Sequence, residues 1–159
     1  MRYVLIICVV LCGLRCLAQE PWEPGQFPIA CWRGPPRSHN TLEDYQILRD
    51  CNFNIAGPTG GHTAETNRTV LDLCAKVGLK AIIMDGRIGP HLVLRDDWQK
   101  VVSLVVTDYG AHPALYGYHL LDEPSSMLFD ALGRISRELE RQDPAHLPYI
   151  NLLPTYANV

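Results

Sequence analysis

The sequence predicts a parallel α/β fold of the (β/α)8-barrel type, present as an incomplete half barrel of four βα units and a fifth strand. Three observations predict it. Short apolar runs alternate with stretches of helical period in the order β-α-β-α-β-α-β-α-β. The second to fourth predicted strands are apolar on both faces, as strands covered on both sides are. The connections that follow the first three strands are long, whereas the returns from helix to strand are short: Asn52, Gly78 and "AHP". Elaboration on the C-terminal side of the strands is where a barrel builds its site. A doubly wound fold fits less well, because "WRGPPRSHN" after the first strand lacks the glycine spacing of a phosphate turn and its prolines offer no N–H. A whole barrel needs about 250 residues. The chain has 159, so it reads as the N-terminal half of one.

The elements follow in order. "FPIACW" (27–32) is a short apolar run and the first strand. "TLEDYQILRDC" (41–51) is helical, with Thr41 as cap, Asp44 three residues later, and Tyr45, Leu48 and Cys51 at helical spacing. "FNIAG" (53–57) is the second strand. "TAETNRTVLDLCAKVG" (63–78) is the next helix, with Val70, Cys74 and Val77 on its apolar face and Gly78 as its stop. "LKAIIMD" (79–85) is the third strand. The helix over 96–110 starts with Asp96 and Asp97, as the helix dipole prefers. "ALYGYHLLD" (114–122) is the fourth strand. The helix over 125–143 can be capped by Ser125 or Ser126 and repeats Leu128, Leu132, Ile135 and Leu139. "LPYINLLPT" (147–155) is the fifth strand.

The first 18 residues read as a secretory signal: Arg2, an apolar run from Val4 to Leu14, and small Ala18 before the cut. The run is short for a bilayer span. Arg15 lies late in the pattern, so an uncleaved anchor is the alternative. The mature domain is then 19–159, secreted or periplasmic. A net charge of −3 argues against a nucleic-acid partner, which needs a basic face. Three of the six cysteines lie in the signal. Cys31, Cys51 and Cys74 are odd in number and widely spaced, neither a disulfide framework nor a zinc site. Cys51 and Cys74 read as buried small apolar residues, with a disulfide between two of the three as the alternative. The triplet "NRT" at Asn67 is a glycosylation sequon only in a eukaryotic host, and no role is assigned to it.

The stretch "YGYHLLDEPSS" (116–126) carries the chemistry. Asp122 and Glu123 end the fourth strand at the rim. Adjacent strand residues face opposite ways, so one of the two points along the barrel axis. His119 shares the parity of Glu123. Pro124 biases Glu123 toward an extended backbone. A carboxyl at an apolar barrel mouth is partly desolvated, which favours the protonated form that a general acid needs. The competing reading is an ordinary acidic helix start.

Four blocks, "FPIACWRGPP", "FNIAG", "HPALYGYHLLDEPSS" and "DPAHLPYINLLPTYAN", resemble bacterial glycoside hydrolase-like TIM barrels of clan A, the β-galactosidase-type families, over residues 27 to 158. The resemblance implies retaining hydrolysis of O-glycosidic bonds, with Glu123 as acid/base and a glutamate ending a seventh strand as nucleophile. That strand is not in this sequence, so the chain alone is expected to be inactive. In the clan an Asn precedes the acid/base and contacts the sugar 2-hydroxyl. Here Asp122 stands in its place; it still accepts that bond and adds a charge.

The other rim residues each admit two readings. Trp32 and Arg33 end the first strand; Trp32 either stacks on a sugar or packs in the core. Asp85 and Arg87 end the third strand and either bind hydroxyls or form a rim ion pair. His62, after the second strand, is a sugar contact or a solvated loop residue. Asn151 and Tyr156, on or after the fifth strand, line the site or pack. His119 reads as a hydrogen-bonded interior residue, and Tyr116 and Tyr118 as facing the helix layer. The implied partner is a carbohydrate, with no cofactor, no metal ion, no nucleic acid and no membrane beyond the signal segment. A non-catalytic carbohydrate-binding barrel or inactive fragment is the alternative. A metal-dependent barrel using Asp85 and Glu123 is a third reading, disfavoured because the fifth strand offers Asn151 and no carboxylate. Two open sheet edges predict aggregation or self-pairing.

Overall fold

The computed structural model describes residues 25–153; the predicted signal segment and Tyr156 lie outside them. Eight regular elements alternate: α1 (Leu42–Asp50), β1 (Ile55–His62), α2 (Ala64–Val77), β2 (Lys80–Asp85), α3 (Trp98–Tyr109), β3 (Leu115–Asp122), α4 (Phe129–Gln142) and β4 (Leu147–Asn151). Short 3-10 turns at Pro90–Leu94 and Ser126–Leu128 lead into α3 and α4. The four strands form one parallel sheet in the order β1-β2-β3-β4. This is a partial (β/α) barrel. Among the described residues no helix is long and apolar enough to cross a membrane.

The helix ends follow local chemistry. Thr41 and Asp44 form a reciprocal capping box at the start of α1, and Thr63 and Thr66 form another at α2. Gly78 closes α2 in the left-handed conformation at φ 73°, which a residue with a Cβ adopts at a cost. Asp97 precedes α3 without a side-chain cap bond.

The predicted fifth strand ends early, at Asn151, with Leu152 and Leu153 outside it, and two further elements differ more from the sequence reading. The predicted first strand makes a single parallel bridge, Ala30 to Ile55. Pro28 has no N–H for a ladder, and the Asn54 side chain takes over: it accepts from the Ile29 amide at 2.8 Å and donates to the Phe27 carbonyl at 2.8 Å. The segment still lies tight on the sheet. A Cβ at Gly57 would meet the Cys31 carbonyl oxygen at 1.7 Å. The second difference is the length of β1, which runs through "PTGGH" to His62 rather than stopping at Gly57. Register shifts against β2, with Thr59 opposite Ile83 and His62 opposite Asp85, absorb the extra residues.

The core lies between the sheet and the helices. Tyr45, Leu71, Val102, Val105, Ile135 and Leu139 are fully buried there with Ala81, Ile83 and Tyr118 from the strands. Truncating one of its leucines or isoleucines to Ala costs roughly 2–5 kcal/mol. Cys74 is buried as expected, and burial pushes its thiol up to about 12. Cys51 is exposed instead, because it caps the surface end of α1. All three described cysteines are free. Asn67 of the sequon is fully buried; it accepts from the Gly61 amide at 3.0 Å and donates to the Met84 carbonyl at 2.9 Å and the Tyr109 hydroxyl at 3.1 Å. A side chain so enclosed cannot carry a glycan in the folded chain.

Candidate functional site

Which acid faces the barrel interior is decided by register. Along β3, Tyr118 faces the helices: it is buried in the core and donates to Asp143, the residue after α4, at 2.5 Å. His119 therefore faces the interior. Its ring lies 6.1 Å from Trp32 and 6.0 Å from Tyr149. His119 pairs with Tyr149, but the next pair is Leu121 with Ile150. Leu120 is an extra residue on β3, and it reverses the alternation beyond it. Leu120 is buried in the core, and Leu121 and Ile150 also pack against the core. Asp122 and its partner Asn151 then fall on the interior side with His119 and Tyr149. Simple parity grouped Glu123 with His119; the register shift gives that place to Asp122. Shifts of this kind re-aim side chains next to sites.

Asp122 joins two neighbours there. Its Oδ1 accepts from Asn151 Nδ2 at 2.7 Å, and its Oδ2 lies 3.9 Å from the Arg33 guanidinium. Arg33 follows Trp32 through a cis peptide bond. Trp32 is half exposed at the rim. The chain thus brings together Trp32, Arg33, Asp122 and Asn151, all named from sequence, along with His119 and Tyr149. Tyr149 was missed, although it shares the alternation of Asn151.

Glu123 is exposed and leaves the strand. Its amide donates to the Asn151 carbonyl at 2.7 Å, but its φ is 45°. The extended backbone expected from Pro124 is not found. Instead the chain turns at Glu123 so that Pro124 can be buried and Ser125 can cap the 3-10 turn at the Met127 amide. A non-glycine residue in this region is strained by about 1–3 kcal/mol, and such strain collects at functional positions.

Asp85 and Arg87 are placed elsewhere. Asp85 has the parity of Ala81 and Ile83 and faces the helices. It accepts from Arg87 Nε at 2.9 Å, Arg87 Nη2 at 2.7 Å and the Tyr109 hydroxyl at 2.6 Å. Arg87 also pairs with Asp108 at 2.7 Å. Burial pushes the Asp85 carboxyl up, but the hydrogen bonds from Arg87 and Tyr109 outweigh it and hold the group below the usual carboxylate value. These bonds occupy the pair within the rim. His62 ends β1, opposite Asp85 in the ladder. Among the described residues there is no cluster of three or more His, Cys, Asp or Glu that could hold a metal ion. A cleft of about 470 Å³ opens at the opposite end of the sheet, lined by Asn54, Lys80, Tyr116 and His146 among others, away from both acids.

The sequence matches no protein-family model and no curated protein. Solved structures do match. A glycosyl hydrolase family 2 member from Bacteroides cellulosilyticus aligns with TM-score 0.52 and 12% identity over 73% of this chain and 17% of its own. A plant β-glucan endohydrolase aligns with TM-score 0.51 and 10% identity over 79% of this chain and 40% of its own. The β-glucuronidase of Parabacteroides merdae aligns with TM-score 0.47 and 18% identity over 69% of this chain and 15% of its own. The chain spans less than half the length of each. The first two likenesses establish the fold: four parallel strands alternating with helices, as part of a barrel shared with glycoside hydrolases.

Proposed function

We propose that this chain carries the acid/base side of a retaining glycoside hydrolase. Glu123 protonates the leaving glycosidic oxygen and then activates water, while a second carboxylate roughly 5 Å away forms the glycosyl intermediate. The observation that carries this reading is the placement of Glu123: an exposed carboxylate on a strained turn at the C-terminal end of β3, beside an interior-facing Asp122. Trp32 offers an aromatic face for the sugar ring, and Arg33, Asp122, Asn151, His62 and Tyr156 are its polar contacts in this reading. Asp85 and Arg87 support the rim through their ion pair. The N-terminal 18 residues act as a signal peptide, and residues 19–159 enter the secreted or periplasmic space. The carbohydrate is the partner, with no metal or cofactor in the reaction.

The test is hydrolysis of a panel of aryl glycosides by the full-length protein, with Glu123→Gln beside the wild type. Loss of the general acid should lower kcat by about 100-fold or more on substrates with poor leaving groups, and less on activated ones. Equal activity of the two proteins would remove Glu123 from the mechanism. One observation favours a second reading for the chain by itself, a non-catalytic carbohydrate-binding barrel. Asp122, which ends β3 beside Glu123, is bonded to Asn151, and Asp85, which ends β2, faces the helix layer, so no other described strand end supplies a partner carboxylate. Saturable binding of an oligosaccharide without turnover would select that reading.

A further inference from the structure

We propose that Asn151 is a positioning residue for Glu123, gripping the turn that bears the carboxylate at two points and acting through that turn. The first grip is the backbone: the Asn151 carbonyl accepts from the Glu123 amide at 2.7 Å. The second is the side chain, whose Nδ2 donates to Asp122 Oδ1 at 2.7 Å. The two bonds seize consecutive residues. They are needed because Glu123 sits at φ 45°, a conformation that persists only where its surroundings over-determine it. On the far side buried Pro124 fixes the exit of the turn. Glu123 is thereby held between an anchored Asp122 and an anchored Pro124 while its carboxylate projects outward. Arg33, 3.9 Å from the other Asp122 oxygen, is too distant to replace the Asn151 bond.

The functional weight of this clamp rests on the reading of Glu123 as the acid/base, but its existence is tested without any substrate. Amide hydrogen exchange is measured on the full chain for wild type and Asn151→Ala. The variant keeps the backbone carbonyl and loses only the side-chain grip. The Glu123 amide should exchange about tenfold faster, as the loss of one hydrogen bond to a charged group allows, while the His119 amide stays unchanged. Asp122→Ala removes the same bond from its other end and must reproduce the change, which keeps the test open if Asn151→Ala does not fold. The melting of Glu123→Gly with and without Asn151→Ala gives a second readout. Glycine relieves the strained φ, so Asn151→Ala should lower the melting temperature more in the glycine background than in wild type, where the released turn relaxes. Additive shifts, or unaltered exchange at Glu123, would overturn the proposal. Glycoside binding and hydrolysis are followed in the same variants: a wild type that neither binds nor cleaves defeats the glycosidase reading and leaves the clamp to be judged on the exchange data.

Discussion

Asp85 shows how a strand-end acid is recruited by structure. Its side chain is 1% exposed, and four hydrogen bonds from Arg87 and Tyr109 surround it. Burial alone would favour its neutral form; the donors reverse that and lower its pKa. A carboxylate with a lowered folded pKa contributes stability that is complete above its unfolded value of about 3.9 and is lost as pH falls through the folded value. Stability should therefore hold from neutral pH down to about pH 5 and drop below about pH 4. In Asp85→Asn this part of the acid-side loss disappears, and the neutral-pH stability falls by about 2 kcal/mol. Urea unfolding of both proteins at a series of pH values measures this, and identical pH profiles would contradict it.

At the scale of elements, the fit between the segment over 27–32 and β1 depends on Gly57. Its missing side chain lets the Cys31 carbonyl approach to a distance that no Cβ tolerates. The approach involves backbone on both sides, so no rotamer change relieves it. Gly57→Ala should lift the segment off the sheet, break the Ala30 bridge and reduce stability by about 1–3 kcal/mol. Trp32 and Arg33 ride on that segment, so the contacts of Trp32 with His119 and of Arg33 with Asp122 would go with it. Chemical-shift changes at His119 and Asp122 in the Ala variant report the loss; an unshifted His119 would argue that Trp32 is held by something else. The boundaries of β1 teach the same lesson. "PTGGH" reads as a loop because Pro and Gly are turn formers, yet β2 supplies enough ladder partners to keep it in the sheet.

At the scale of the whole fold, the sheet edge beyond β4 is open among the described residues. All five β4 residues are half-buried, β4 pairs with β3 alone among the described strands, and Leu152 just past it is 58% exposed. At the other edge Phe27 is 82% exposed. An open parallel edge next to apolar side chains is a template for pairing with another chain. The 159-residue chain should sediment as a dimer or larger species at micromolar concentration. A monodisperse monomer with a single cooperative melt would show that the edge is protected.

The sequence by itself determined the alternation of strands and helices, the caps at Thr41 and Gly78, the core face of α2, and the position of Asp122 and Glu123 at a strand end. All of these depend on periodicity and on contacts within a few residues, which the order of residues records directly. Tertiary structure alone decided that the first predicted strand shrinks to one bridge, that Asp85 turns to the helices, and that Asp122 rather than Glu123 shares the interior with His119. Each of these is set by pairing between segments far apart in the chain. The extra residue at Leu120 is invisible to a count along β3, because a register shift exists only relative to the partner strand, and one residue of shift exchanges the two faces of everything beyond it.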